Sequence, residues 1–119
     1  MSLVFVYGTL KRGGSNHHYL AGQSFVGNAR TAPGFTLYNL GGYPGMVRLG
    51  DDTGGVSGEV WSVDGECLAG LDALEGTGEG LYRREAVPLG DSFAEQCVEA
   101  YIYLPSVAGR ERIGSEWAG

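Results

Sequence analysis

Short apolar runs separated by glycine-containing turns are the main pattern along this chain of 119 residues. Residues 3–7 form a continuous apolar run that ends at Gly8, which predicts a buried strand. Further apolar or alternating runs predict six more strands, over residues 25–32, 35–40, 46–49, 56–63, 82–87 and 97–104. A turn is expected at residues 51–55.

One segment, residues 65–75, has the spacing of a helix. Asp64 precedes it in the position of an N-cap, and Gly76 follows it where a left-handed C-terminal residue belongs. Its apolar side chains fall on one face at helical spacing: Cys67, Leu68, Leu71 and Leu74. Residues 16–20 are long enough for one short helical turn.

Six or seven strands with one main helix and short flanking helical turns predict an α+β fold, in which a small mixed or antiparallel sheet curls into a barrel. A doubly wound sheet would need a helix between most strands, and the chain does not supply them. No repeat or linker divides the sequence, so residues 1–119 are expected to form one domain. We expect a core over residues 3–104 and a loosely held polar tail over 105–119.

Composition narrows the possible partners. Fourteen acidic residues against eight basic ones set the net charge at −6, which disfavours nucleic acids and anionic membranes. No apolar run of about 18 residues occurs, so no transmembrane helix is expected. The start of the chain lacks a signal-like pattern, and Cys67 and Cys97 have no metal or redox spacing and stand at core-like positions. These features predict a reduced, cytoplasmic protein.

Three conspicuous motifs do not predict a site. Residues 76–80 are glycine-rich, but they follow a helix instead of opening one and lack the third glycine of a dinucleotide loop. His17 and His18 have no ligands at metal-binding spacing, so a solvated pair is expected in place of a metal site. Nothing near either cysteine would activate a thiolate.

Two features remain as candidates for chemistry. At Tyr7-Gly8-Thr9-Leu10 a strand enters a turn, where Gly8 lets the backbone approach a ligand and successive N–H groups could bind a carboxylate or an oxyanion. The alternative is an ordinary strand-ending turn.

Glu75 is the second candidate. It lies within the apolar half of the helix and at the negative end of the helix dipole, so its pKa should be raised toward the range useful for acid–base catalysis. The alternative is a fraying glutamate in water.

A series of motifs resembles the gamma-glutamylcyclotransferase-like family, and most of all its gamma-glutamylamine cyclotransferase branch and small bacterial relatives. The N-terminal segment Val4-Phe5-Val6-Tyr7-Gly8-Thr9-Leu10-Lys11-Arg12-Gly13, followed by Asn16-His17, carries the resemblance first. The motifs that follow in the family's order are Gly42-Tyr43-Pro44-Gly45, Gly58-Glu59-Val60, Leu71-Asp72-Ala73-Leu74-Glu75-Gly76, Tyr82-Arg83-Arg84 and Ala100-Tyr101-Ile102-Tyr103.

The resemblance implies a mixed-topology β-barrel that cleaves small-molecule γ-glutamyl amides by intramolecular cyclisation, without a cofactor or metal, releasing 5-oxoproline and an amine. By resemblance, Glu75 is the acid–base residue. The loop of Tyr7, Gly8, Thr9 and Leu10 holds the glutamyl part, and Tyr82 lies close to the substrate. Thr9-Leu10 differs from the pattern of relatives that act on γ-glutamyl dipeptides, which favours γ-glutamylamines. A binding module that keeps the pocket without turnover is the competing hypothesis.

Overall fold

Eight strands and one α-helix make up the part of the chain that the structure, a computed structural model, describes: residues 1–50 and 54–117. The strands are β1 (Ser2–Val6), β2 (Ser24–Arg30), β3 (Phe35–Asn39), β4 (Pro44–Arg48), β5 (Ser57–Val63), β6 (Tyr82–Ala86), β7 (Glu99–Tyr103) and β8 (Glu111–Gly114). The helix α1 spans Gly65–Leu74, and three short 3₁₀ turns cover His17–Leu20, Thr77–Glu79 and Asp91–Phe93. Part of the turn predicted at residues 51–55 lies outside the described residues.

The strands form a single mixed sheet in the order β2-β5-β1-β7-β4-β3-β8, with β6 paired to β7 off this path. The α+β class and the short helical turns are thus confirmed, but the predicted barrel is wrong in one respect: the sheet is not closed. A closed barrel requires two neighbours for every strand. Among the strands of the described residues, β2 pairs only with β5 and β8 only with β3, so both remain edges.

Strand β7 is the point at which the sheet divides. β6 pairs along one edge of β7 through its whole length, from Tyr82 to Ala86. The other edge is shared, because β1 contacts β7 in parallel only at Val4–Glu99, and β4 contacts it in parallel only at Met46–Ile102. β1 and β4 therefore separate along this edge, and the chain leaves β1 directly beside the gap.

Apolar side chains fill both faces of the sheet. In β7 the predicted alternation holds, since Ala100 and Ile102 enter one core cluster while Tyr101 and Tyr103 join the other. Leu71 of α1 is fully buried in the second cluster, to which the β1 side chains Val4 and Val6 also belong. Helix α1 therefore covers the sheet face that carries these side chains, and the gap between β1 and β4 opens toward that face.

The ends of α1 follow the predicted capping. The side chain of Asp64 accepts a hydrogen bond from the N–H of Cys67 at 2.7 Å, and Gly76 adopts a left-handed φ of 66°. The helix ends at Leu74, one residue earlier than predicted, and Glu75 becomes its C-cap. This cap directs the chain into a tight turn immediately after the glutamate.

Two predictions about the periphery are corrected. The segment predicted as a loosely held tail contains β8, which pairs with β3. Ile113 and Trp117 of this segment pack against the apolar core, and these contacts hold the segment in place. Cys97 was expected at a core-like position but is exposed, since it lies before the start of β7. Within the described ranges, no helix has the length and apolar character needed to cross a membrane.

Candidate active site

A pocket, here called the inner cleft, opens at the gap between β1 and β4 and extends to the end of α1. Its space is about 360 Å³, counting the part open to solvent. All six residues that the sequence nominated lie around it, although they come from three separate stretches of the chain. The lining consists of Phe5, Val6, Tyr7, Gly8, Thr9, Leu10, Tyr43, Pro44, Glu75, Tyr82 and Tyr101.

Tyr7, which directly follows β1, links β4 to β7 beside the gap between β1 and β4. Its hydroxyl donates to the carbonyl oxygen of Tyr101 in β7 at 2.7 Å and accepts from the N–H of Met46 in β4 at 3.2 Å. Burial, together with the nearby Tyr82 and Glu75, raises the pKa of Tyr7 well above its usual value. The hydroxyl therefore stays protonated and replaces the strand pairing missing in the gap.

Gly8 lets the backbone pass against the neighbouring loop. A Cβ at this position would lie 2.6 Å from Cγ of Pro44, closer than real side chains approach, so only glycine fits without a shift. Among the residues that the structure describes, no protein oxygen accepts from the N–H groups of Gly8, Thr9 or Leu10. Three consecutive donors beside the inner cleft are thus left for an oxygen of a ligand.

The loop after Gly8 is held from outside the inner cleft. Asn16 donates through its side-chain Nδ2 to Oγ1 of Thr9 at 3.0 Å, and its N–H donates to the Thr9 carbonyl at 2.9 Å. Nδ1 of His17 lies 2.9 Å from the carbonyl oxygen of Leu10, and its ring packs against Trp61. The expectation of a solvated histidine pair is therefore wrong for His17, which tertiary contacts place as an anchor of the loop.

Glu75 is the only carboxyl side chain among the residues that line the inner cleft. Burial raises its pKa from 4.5 to about 7, in the direction that its place on the helix predicts. Within residues 1–50 and 54–117, its carboxylate accepts no hydrogen bond and forms no ion pair. A carboxyl that is half ionised near neutrality can both take and return a proton.

Tyr82 forms a wall of the inner cleft through its ring. Its hydroxyl donates to the carbonyl oxygen of Pro44 at 3.2 Å, and its ring meets Tyr103 edge to face at 5.2 Å. Burial and the nearby Glu75 raise the pKa of Tyr82, which keeps the hydroxyl protonated. The side chain is thereby fixed against the β4 loop.

Sequence reasoning missed an ionic cluster behind Glu75. Arg84 binds both carboxylate oxygens of Asp72, at 2.8 and 3.1 Å, and also Glu99 at 2.6 Å. The hydroxyl of Tyr101 donates to Asp72 at 2.7 Å, and these donors lower the pKa of that carboxyl. Asp72 thereby ties α1 to β6 and β7, one turn before Glu75.

The inner cleft also contains Tyr43, Pro44 and Tyr101, which were not nominated. The signal for the first two was present, because Tyr43 and Pro44, flanked by glycines, form one of the motifs that carry the family resemblance. Tyr101 was assigned to the correct face of its strand, but a face does not reveal a pocket. In the part of the chain that is described, no three His, Cys, Asp or Glu side chains group closely enough to hold a metal ion.

The fold is shared with known proteins. The model of the gamma-glutamyl cyclotransferase, AIG2-like family matches residues 4–118, and the chain therefore belongs to that family. A gamma-glutamylcyclotransferase-like protein of Vibrio cholerae is 45% identical over 103 residues, covering 85% of this chain and 81% of its own length. YtfP of Escherichia coli K12, a gamma-glutamylcyclotransferase family protein, is 35% identical over 117 residues and covers 96% and 94%.

Solved structures agree with the sequence comparison. The solution structure of Escherichia coli YtfP superimposes with a TM-score of 0.71 at 34% identity, covering 98% of this chain and 95% of that one. An AIG2-like protein from Mus musculus matches with a TM-score of 0.71 at 30% identity, covering 89% and 78%. The resemblance seen in the sequence motifs is thus confirmed at the level of family and fold.

Proposed function

We propose that the protein cleaves a small γ-glutamyl amide by intramolecular cyclisation, releasing 5-oxoproline and a free amine. The α-amino nitrogen of the substrate attacks its own γ-carbonyl carbon, which forms the ring C–N bond, and the bond from that carbon to the leaving nitrogen then breaks. Membership of the gamma-glutamyl cyclotransferase family supports this class of reaction.

Glu75 is the proposed general acid and base. Its carboxylate takes a proton from the attacking nitrogen, and the resulting carboxylic acid gives that proton to the departing nitrogen, so the residue ends as it began. A pKa of about 7 suits both halves of this exchange at neutral pH. Positioned proton transfer of this kind typically contributes on the order of 10²–10⁴-fold to the rate.

The loop of Tyr7, Gly8, Thr9 and Leu10 is proposed to hold the glutamyl part. Its three unused N–H groups can bind either the α-carboxylate or the negative charge that develops on the γ-carbonyl oxygen. Tyr7 and Tyr82 use their hydroxyls to fix the surrounding backbone, so their part is to shape the inner cleft. Binding the flexible glutamyl chain in a bent form adds a proximity contribution.

The observation that carries the proposal is a half-buried carboxylate that has no cationic partner among the described residues and lies in the same cleft as three backbone N–H groups that none of those residues accepts from. A general acid–base residue and an oxygen-binding loop are the two groups that a self-cyclising substrate needs. The nucleophile is part of the substrate, so the reaction asks for no serine or cysteine nucleophile from the protein.

The test is the release of 5-oxoproline, followed by mass spectrometry, from γ-glutamylamines, γ-glutamyl dipeptides, ε-(γ-glutamyl)lysine and glutathione. We expect wild type to form product and Glu75→Gln to lose at least 10²-fold in kcat/KM, on the scale of positioned proton transfer. Glu79→Gln, which changes an exposed carboxylate in the next turn, is the matched control and should keep its activity.

Two outcomes would count against the proposal. Full activity of Glu75→Gln would remove the assigned mechanism. A folded protein that binds γ-glutamyl compounds but releases no 5-oxoproline from any of them would establish the binding module instead.

A further inference from the structure

The motif Gly58-Glu59-Val60 lies in β5, and none of its residues is among the described ones that line the inner cleft. In the antiparallel pair of β1 and β5, Glu59 stands opposite Val6, the last residue of β1. Gly58 permits the close approach of the two strands here, because a Cβ would collide with the carbonyl oxygen of Val6. Glu59 therefore stands beside the point where the chain leaves β1 and enters the loop.

The carboxylate of Glu59 is buried, with only 7% of the residue exposed. Among the described residues, its Oε1 accepts from the N–H of Arg12 and from Nε1 of Trp61, both at 3.1 Å, and its Oε2 accepts from Nε of Arg12 at 3.0 Å. Burial acts to raise the pKa of Glu59, but the hydrogen bonds from Trp61 and Arg12 outweigh it, so the pKa is lowered. At neutral pH the group is an ionised carboxylate that holds these donors in place.

The contact with Arg12 acts at the end of a tight turn. The turn covers residues 8–11 and is closed by the N–H of Lys11, which donates to the carbonyl oxygen of Gly8 at 3.1 Å. Arg12 follows directly, and its N–H is bound to Glu59. Because a peptide group is planar, holding that N–H also fixes the carbonyl of Lys11 and with it the end of the turn.

The contact with Trp61 reaches the same turn by a second route. The indole ring of Trp61 meets the ring of His17 edge to face at 5.2 Å. Nδ1 of His17 lies 2.9 Å from the carbonyl oxygen of Leu10, which belongs to the turn. Glu59 fixes the indole through its Nε1, so it supports the turn both at Arg12 and, through two rings, at Leu10.

From this arrangement we propose that Glu59 is a positioning residue: it holds the turn of residues 8–11 in the one geometry that presents the N–H groups of Gly8, Thr9 and Leu10 to an oxygen of the substrate. The inference rests on the proposed cyclisation, in which these groups bind the glutamyl part. Donors that are fixed before the substrate arrives need no reorganisation during the reaction. Displacing such groups by about 1 Å can reduce the rate on the order of 10²-fold.

The first test is the mobility of the three N–H groups, measured by ¹⁵N relaxation without any substrate. In wild type we expect order parameters of about 0.85 at Gly8, Thr9 and Leu10, as in rigid backbone. In Glu59→Leu they should fall below about 0.6, the range of flexible segments, because the anchor of the turn is lost.

The second test is kcat/KM for 5-oxoproline release, measured under conditions in which each variant is folded. Glu59→Leu should lose on the order of 10²-fold. Glu59→Gln keeps an oxygen for the N–H of Arg12 and for Trp61, and loses only the acceptor for Nε of Arg12, so its loss should be about tenfold or less.

Arg12→Met provides a variant that is expected to fold, because the Arg12 side chain is half exposed. It removes from the other side the same bond that Glu59→Gln removes, so the two losses should be similar. The double variant should then lose no more than either single one, since one interaction cannot be lost twice.

Two controls separate this role from general destabilisation. Thr36→Val removes a buried hydrogen bond to the carbonyl of Gly114, in a part of the sheet that β1, β7 and β4 separate from β5, and it should change neither kcat/KM nor the order parameters. In every Glu59 and Arg12 variant, the pH profile of kcat/KM should keep the apparent pKa of wild type, because Glu75 lies on α1 and not on the turn.

The outcomes distinguish this inference from the function on which it rests. If wild type releases no 5-oxoproline from any γ-glutamyl compound, the proposed cyclisation fails and this role of Glu59 fails with it. If wild type is active, three results would overturn the role of Glu59 alone: order parameters that stay at wild-type values in Glu59→Leu, losses of the two single variants that multiply in the double variant, or an apparent pKa that moves with the rate.

Discussion

Replacing Glu75 by glutamine should stabilise the folded protein at high pH and not at low pH. The carboxyl has a pKa of about 7 when folded and 4.5 when exposed, because burial penalises its charged form. Below pH 4.5 the carboxyl is protonated in both the folded and the unfolded state, so it does not lower the free energy of unfolding. As the pH rises from 4.5 to 7, the unfolded chain releases its proton first, so the wild type progressively loses stability.

The size of the effect follows from the two pKa values. The two pKa values differ by about 2.5, and each unit of that difference corresponds to about 1.4 kcal/mol. The free energy of unfolding of the wild type therefore falls by about 3 kcal/mol between pH 4 and pH 8 through this group. Glutamine has nearly the same shape and carries no charge at any pH. The free energy of unfolding of Glu75→Gln should therefore exceed that of wild type by about 3 kcal/mol more at pH 8 than at pH 4.

Urea unfolding at half-unit steps from pH 4 to pH 8.5 measures this difference. Glu79→Gln, which alters an exposed carboxylate, should follow the wild-type curve within about 0.5 kcal/mol throughout. A difference between Glu75→Gln and wild type that stays constant across the range would refute the reasoning, as would a greater stability of wild type at pH 8. Either result would mean that the carboxylate is solvated or paired in the folded state.

Three further expectations concern the same region. In wild type, kcat/KM for 5-oxoproline release should fall about tenfold per pH unit below pH 7, because only ionised Glu75 can take the first proton. A flat profile of kcat/KM from pH 5 to 8 would contradict this. Tyr7→Phe should lower the free energy of unfolding, measured with urea, by about 2 kcal/mol, since the buried N–H of Met46 loses its acceptor; a change below about 0.5 kcal/mol would exclude that role. Arg84→Met should lower the free energy of unfolding by about 1–2 kcal/mol at pH 7, because Arg84 binds the ionised carboxylate of Asp72. Thermal unfolding should show this loss shrinking toward pH 3, since the lowered pKa of Asp72 stabilises the fold only while its carboxylate is ionised. An equal loss at both pH values would contradict this.

Local signals carried the prediction of the main helix and of the residue at its end. Asp64 and Gly76 cap α1 through contacts within a few residues, so the sequence alone places both ends to within one position. The same periodicity puts Glu75 on the apolar half of the helix, and burial of that half is what raises its pKa. The most unusual group of the site was thus visible before any tertiary contact was known.

The contacts around that group depend on distant parts of the chain. Tyr7 and Met46 are 39 positions apart and Asp72 and Arg84 are 12 apart, and neither pair shares a local pattern. The periodicity of α1 alone cannot show that β6 and β7 supply Arg84 and Tyr101 to Asp72. Polar residues that pair across elements cannot be told from solvated ones by their spacing.

The sequence by itself determined seven of the eight strands, the capped helix, the loop from Tyr7 to Leu10 and the place of Glu75 on the apolar half of the helix, because each depends on alternation or on contacts within one turn. Only the tertiary structure decided that β1 and β4 share one edge of β7 and that the sheet stays open at β2 and β8. A period of two shows which face of a strand is buried but not which strand lies beside it. That choice of neighbours creates the gap in which Tyr7, Glu75 and Tyr82 meet.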